Sequence, residues 1–226
     1  MFITFEGMDG SGKTTQVNLT AAALRDLGYN VLLTREPGGT QLGDKVRTLL
    51  LEKEAFTTPM DSRAELLLFC ASRAQLVSEV IRPYLENDGI VICDRYIDSS
   101  IAYQGFGHGL DLDYLRHILD FATGSLYPDV TLYLDITPQE GLKRRAAASL
   151  FGEEFNRIDD MALEFHHRVY DGYTAIAEAY PERWVNINAA HPADKVQQAV
   201  MKILKTRLPA TPGPEKSKGK GKGRKK

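Results

Sequence analysis

Only two cysteines occur in 226 residues, Cys70 and Cys93, and each lies in an apolar run. That pattern reads as two buried free thiols in a reducing compartment. No apolar stretch approaches the ~20 residues a membrane helix needs. The opening MFITFEG has no basic n-region or cleavage site, so no secretory leader is expected and the chain reads as cytoplasmic. Internal repeats are missing. So is the tetrapeptide N-K-x-D with which GTP-binding switches read their base. Excess charge is small as well, at a formal −2, which at first sight excludes a nucleic-acid binder held by bulk charge. The balance hides a segregation. Residues 209–226 carry seven Lys/Arg against one Glu, or +6, and leave −8 on the rest.

What is present is ordinary globular material, with 43% hydrophobic and 26% charged residues, enough for one sizeable core. The expected division is a single domain over 1–208 and a disordered basic tail over 209–226. In that tail Pro, Gly and Lys nearly alternate and cannot bury apolar surface. Five short runs read as strands: Phe2–Phe5, Val31–Leu33, Ile90–Cys93, Thr131–Leu134 and Trp184–Ile187. They are almost continuously apolar, which suits strands covered on both faces. Helical patterns fall between them, at about 13–27, 41–52, 61–82, 111–122, 138–150, 159–179 and 193–206. The alternation predicts an α/β fold, a five-stranded parallel sheet flanked by helices on both faces. Ligands of such sheets bind beyond the carboxyl ends of the strands. There the chain reads Glu6 and GMDGSGKTT, then TREPGGT, then DRYIDSSIAYQG.

The first of these segments carries a specific motif. Gly7, Met8, Asp9, Gly10, Ser11, Gly12, Lys13 and Thr14 satisfy G-x-x-x-x-G-K-[ST] between a strand and a helix. The glycines let backbone N–H groups turn inward around phosphate oxygens, and the following helix adds the positive end of its dipole. Lys13 supplies a charge for the β- and γ-phosphates and Thr14 a hydroxyl for Mg²⁺. A bound nucleoside triphosphate is the consequence, in the manner of P-loop nucleotide kinases.

The second ligand is less directly written. Within helix 61–82, Leu67, Cys70, Ala74, Val77 and Ile81 follow 3-4-3-4 spacing and are expected to form the core stripe. Beside it Phe69 and Arg73 stand at i, i+4, so a ring and a guanidinium could share one base. From spacing alone, a core Phe and a solvated Arg are the commoner arrangement. Asp94 ends the third strand and can serve Mg²⁺ directly or through water; Asp135 is its rival at the end of the fourth. Arg95 can bridge reacting phosphates, and Tyr103 with Gln104 offers a ring and an amide. His166-His167 lacks metal-site spacing and reads as helix surface, and Tyr170 with Tyr173 as helix packing.

Taken together, FEGMDGSGKTTQ, TREPGGT, LLFCASRAQ and DRYIDSSIAYQG resemble the bacterial thymidylate kinases, over Met1 to about Leu208. The resemblance implies ATP-dependent phosphorylation of dTMP to dTDP. It implies a dTMP site of Asp9 at the 3′-hydroxyl, Glu36 and Pro37 on the wall, and Arg47 and Arg95 on the phosphate. Phe69 would stack on thymine, Arg73 and Gln104 would read its O4 and N3 edge, Ser100 would stand nearby, and Tyr103 would crowd the 2′ carbon. A homodimer packed through helices is implied too.

The nucleophile of that reaction, a phosphate oxygen, is already ionised, so no general base is needed. Two like charges 4 Å apart cost ~4 kcal/mol at an effective dielectric of ~20, so several cations are required. Lys13, Mg²⁺, Arg95 and Arg47 are the expected set, under a lid at about 143–158. The lid departs from the family pattern, with Ala146-Ala147-Ala148 where some relatives have an Arg-x-Arg run. Arg145 is the first candidate for a catalytic arginine and Arg157 the second, each against an exposed helix-face alternative. The competing functions are a deoxynucleoside kinase and a catalytically weak nucleotide-binding regulator.

Overall fold

A computed structural model describes residues 1–52, 57–149 and 157–210. The segment 150–156 of the expected lid and residues 211–226 of the expected tail lie outside the described residues. The strands are β1 (Phe2–Glu6), β2 (Val31–Arg35), β3 (Ile90–Asp94), β4 (Val130–Asp135) and β5 (Trp184–Asn188). They form one sheet of order β2-β3-β1-β4-β5, parallel at every pairing. β1 is central and buried along its whole length. The parallel register follows from helical crossovers, because a tight turn cannot join two parallel neighbours.

The strands alternate between two cores. Ile3, Phe5, Ile90 and Ile92 point to one face, where they meet Val17, Ala21 and Leu24 of α1 (Lys13–Asp26) and Val196, Val200 and Leu204 of α9 (Ala193–Leu204). Phe2, Val91 and Cys93 point to the other. There they meet α3 (Ser62–Leu76), α6 (Leu112–Thr123) and α8 (Leu163–Ala179), through Cys70, Leu119 and Tyr173 among others. Burial on both faces is why the strands read as unbroken apolar runs. The remaining helices are α2 (Gln41–Leu51), α4 (Arg82–Glu86), α5 (Ile97–Ser100) and α7 (Pro138–Ser149). Thr40 caps α2 by accepting from the Gly43 N–H, and Asp111 caps α6 by accepting from Asp113 and Tyr114.

Three expectations need correction. Helix 61–82 is α3 followed by a π-helical turn, Val77–Ile81, and then α4. Pro83 has no N–H for the α-helical ladder there. Leu67 is not in the core stripe, being 57% exposed, and Ala74 is half-buried. The inward face of α3 is rotated by one residue and holds Leu66, Cys70 and Leu76 together with Glu65, Ser72 and Arg73. Hydrophobicity misplaced the stripe because functional polar groups occupy part of the buried face. Finally, the segment after β3, outside every helical pattern read from the sequence, is helical. It is α5 and a π-helical stretch, Ile101–Gly107, so thoroughly buried that no amphipathic stripe marks it.

Candidate active site

Two segments meet at the carboxyl end of the central strands: the turn between β1 and α1, and the helical segment after β3. The first turns through Gly7, Gly10 and Gly12 at φ of 145°, 77° and 88°, conformations open to glycine. A Cβ at Gly10 would lie 2.2 Å from the Gly141 carbonyl oxygen, and one at Gly141 would lie 2.6 Å from that of Asp9. These two glycines let α7 press against the loop, and Gly141 was not found by motif. Lys13 is buried and donates from Nζ to the carbonyls of Gly7 (3.0 Å) and Met8 (2.9 Å). Burial, then the charge of Arg95, lowers its pKa to about 8, with Asp9, Asp94 and Glu6 opposing. Ser11 Oγ is buried in the same loop with no partner among the described residues. Thr14 Oγ1 donates to Asp94 Oδ2 at 2.9 Å. A hydroxyl and a carboxylate side by side are hard oxygen donors of the kind Mg²⁺ accepts, the ion taking one or two protein oxygens and completing its shell with phosphate and water.

From Asp9 a cleft runs to α3, and all ten residues expected at the acceptor line it: Asp9, Glu36, Pro37, Arg47, Phe69, Arg73, Arg95, Ser100, Tyr103 and Gln104. Leu51, Tyr96, Ser99 and Ile158 complete the wall.

Arg95 stands at the junction, at a left-handed φ of 71°, unusual for a non-glycine residue. Its Nη2 donates to Asp9 Oδ1 at 2.7 Å, and its Nη1 to Ser99 Oγ (3.1 Å) and Tyr173 Oη (3.3 Å). Tyr103 donates to Asp9 Oδ2 at 3.1 Å. Burial opposes ionisation of Asp9, but Arg95 and then Lys13 outweigh it and hold the carboxyl far below its usual range. Behind Arg95, Glu6 accepts from Ser99 Oγ at 2.6 Å and Tyr173 Oη at 3.0 Å, so it positions Arg95 through both hydroxyls. Burial first, and Asp98 second, raise Glu6 to about 7 against the pull of Arg95. Tyr173 thus packs in the core as expected, and its hydroxyl also serves the site.

At the far end Arg73 is 1% exposed, not solvated. Its Nε donates to Glu36 Oε2 at 2.8 Å, and its Nη2 to Ser100 Oγ (3.1 Å) and the Tyr96 carbonyl (3.2 Å). Burial works against its charge, yet Glu36 outweighs burial and keeps it cationic. Arg73 Nη1 has no partner among the described residues. Arg47 Nη1 donates to the Pro37 carbonyl at 3.1 Å, on the same wall.

Glu65 was missed, although it precedes Phe69 and Arg73 at the same four-residue spacing on α3. It is buried, and Gln104 Nε2 donates to its Oε1 at 2.8 Å. Arg157 Nη2 donates to its Oε2, and His108 Nε2 lies 3.2 Å from Oε1. Burial opposes its charge, but the bonds from His108 and Arg157 prevail and pull its pKa down to about 2.

The two arginines of the expected lid therefore sit apart. Arg145 Nε donates to the buried Asp159 at 3.0 Å, beside the phosphate loop, since a Cβ at Gly10 would lie 3.2 Å from the Arg145 nitrogen. Arg157 is held on the cleft side by Glu65 and the Leu50 carbonyl. The expected surface pair His166-His167 divides: His166 is buried against Phe165, whereas His167 is exposed and bonds Gln139. Helix α8 packs over the segment after β3, which takes His166 inward. Asp94, not Asp135, is the carboxylate beside Thr14.

Residues 5–200 match the family model for thymidylate kinase. The chain is 48% identical over 221 residues to a thymidylate kinase of Roseiflexus castenholzii, covering 94% of this chain and 96% of the relative. It is 47% identical over 213 residues to a thymidylate kinase of Chlorobium luteolum, covering 92% and 98%. The crystal structure of thymidylate kinase from Ehrlichia chaffeensis superposes with a TM-score of 0.73 at 40% identity, over 91% of this chain and 98% of that one.

Proposed function

The chain belongs to the thymidylate kinase family, and on that premise we propose that it transfers the γ-phosphoryl group of ATP to dTMP bound in the cleft beside the phosphate loop. The observation that carries this reading is Arg73 Nη1, a buried cationic donor without a partner among the described residues, in a cleft also lined by Phe69 and Gln104. Leaving such a donor unpaired costs about 1–3 kcal/mol or more, which a carbonyl oxygen on a bound base would recover. Phe69 supplies a face for stacking.

Chemistry then reduces to bringing two polyanions into line. Lys13 holds the β- and γ-phosphates of ATP once they displace its bonds to the loop carbonyls. Arg47 and Arg95 hold the dTMP phosphate, and Asp9 with Tyr103 faces its sugar. Asp9 is already ionised and tied to Arg95, so it orients and does not act as a base. Mg²⁺ would be held by Thr14 and Asp94, and when bound it neutralises charge on the β- and γ-oxygens. Arg145, next to the loop, is our first candidate for the γ-phosphate, and Arg157, bound to Glu65, the second. Excluding water prevents simple hydrolysis, the task of the lid around 143–158.

A homodimer is supported by apolar residues left in solvent on two helices that pack together: Leu67 on α3, and Tyr114 and Phe121 on α6, the last 90% exposed. Sedimentation at two concentrations tests it. The two free buried thiols agree with a cytoplasmic enzyme, and among the described residues no helix is long and apolar enough to cross a membrane.

The deciding assay follows ADP release from ATP and Mg²⁺ with dTMP, thymidine, dCMP or AMP as acceptor. dTMP should be turned over best. Turnover of thymidine in its place would mark a nucleoside kinase, and tight binding of ATP and dTMP without turnover a regulator.

A further inference from the structure

We propose that Glu65 is a positioning residue that fixes which end of the Gln104 amide faces the base, and so helps the enzyme accept thymine and refuse cytosine. This rests on the proposed placement of dTMP in the cleft. A carboxylate offers acceptors only, so the amide beside it must present its NH₂ group. Gln104 Nε2 does so at 2.8 Å, and the Gln104 oxygen has no hydrogen-bond partner among the described residues, on a side chain that lines the cleft. The end of Gln104 left for a ligand is therefore an acceptor. Thymine carries an N–H donor at N3 and cytosine a lone pair, so the first is bound and the second repelled.

Glu65 can hold this role because its charge is secured. It is 1% exposed, and its other oxygen takes the Arg157 guanidinium, while His108 Nε2 stands 3.2 Å from the oxygen that Gln104 uses. Burial penalises the charge, and these partners outweigh the penalty. Arg157 is also anchored by the Leu50 carbonyl, one residue before Leu51 on the cleft wall, and Ile158 follows it on the same wall. The group that stabilises Glu65 thus stands next to the cleft wall.

Glu65→Gln is close to isosteric but offers both a donor and an acceptor, so Gln104 can turn either way. The ratio of kcat/KM for dTMP to that for dCMP should fall about tenfold, the scale of one buried mispaired hydrogen bond. KM for dTMP should rise far more than KM for ATP. In a Gln104→Leu background the same Glu65→Gln change should leave the ratio where Gln104→Leu alone puts it, since the effect passes through Gln104. Glu65→Asp keeps an acceptor-only group, so it should raise KM for dTMP while holding the ratio near that of the wild type. An unchanged ratio in Glu65→Gln, an equal fall with and without Gln104, or an equal collapse in Glu65→Asp would overturn the assignment. Failure of the wild type to phosphorylate dTMP would instead overturn the proposed function, and this inference with it.

Discussion

In the proposed function the donor loop and the acceptor cleft solve the same problem, holding a phosphorylated ligand, by different means. The loop is one contiguous segment shaped by three glycines at positive φ, with Lys13 buried in it, and the proposed function gives its phosphate contacts largely to backbone N–H groups. The cleft is assembled from side chains on α2, α3, α5 and the segments around them, and charges in and beside it are held by ion pairs: Arg73 with Glu36, buried on both sides, and Arg95 with Asp9 and Glu65 with Arg157, partly buried. A phosphate is the same on every nucleotide, so backbone suffices for it. Reading one base among several requires donors and acceptors at fixed places, and burial with a partner fixes them.

The two regions should therefore fail differently. The largest effect is expected from Arg73→Met, which removes the free donor and leaves Glu36 buried without its partner. KM for dTMP should rise by about 100-fold with KM for ATP nearly unchanged. Unfolding free energy should drop by about 3–5 kcal/mol. Steady-state kinetics and chemical denaturation measure both, and a matching rise in the ATP KM would erase the distinction between the regions. Gly141→Ala is the converse. Its Cβ would lie 2.6 Å from the Asp9 carbonyl and must push α7 from the loop. KM for ATP should rise by about tenfold, the scale of 1–2 kcal/mol of overpacking strain, and KM for dTMP by less.

Glu6, which touches both regions through Arg95, gives a smaller, pH-dependent effect. Its carboxyl is raised from 4.5 to about 7 on folding, so between those values the native state binds more protons than the unfolded one. Its contribution to stability therefore declines as pH rises from about 4.5 to about 7 and is flat on either side. Glu6→Gln should remove that slope from denaturation curves recorded between pH 4 and 8. An identical slope in wild type and variant would place the titration elsewhere. The smallest effect is expected from ending the chain at Leu208. The basic segment lies beyond the family match at residues 5–200, so kcat should hold, while any weak affinity for polyanions should disappear.

The same contrast explains what could be read in advance. The turn after β1 was legible down to single residues because its backbone geometry depends on local spacing. Strand runs were legible because a parallel sheet buried on both faces leaves little room for polar residues. On α3 the periodicity misled. Leu67 is exposed while Glu65 and Arg73 are buried, since charges paired across the fold behave as core and an exposed leucine does not announce what it faces. Residues 97–107 escaped as a helix for a related reason, being buried nearly all round. Glu65, Gly141 and Tyr173 carried no motif, although the four-residue spacing of Glu65, Phe69 and Arg73 was a usable signal.

The sequence by itself determined the fold class, the glycine-rich turn after β1 and, through its resemblance to a known family, the residues that line the cleft. It could do so because glycine placement, apolar runs and short motifs act over a few residues. Tertiary structure alone decided which donors and acceptors remain free. Arg73 Nη1 stays open among the described residues because its other nitrogens are taken by Glu36, Tyr96 and Ser100, and Gln104 keeps its oxygen unpaired there because a buried carboxylate accepts its NH₂. The partners in these bonds lie between 23 and 39 residues apart in sequence, and no local pattern encodes which end of a side chain they leave unpaired.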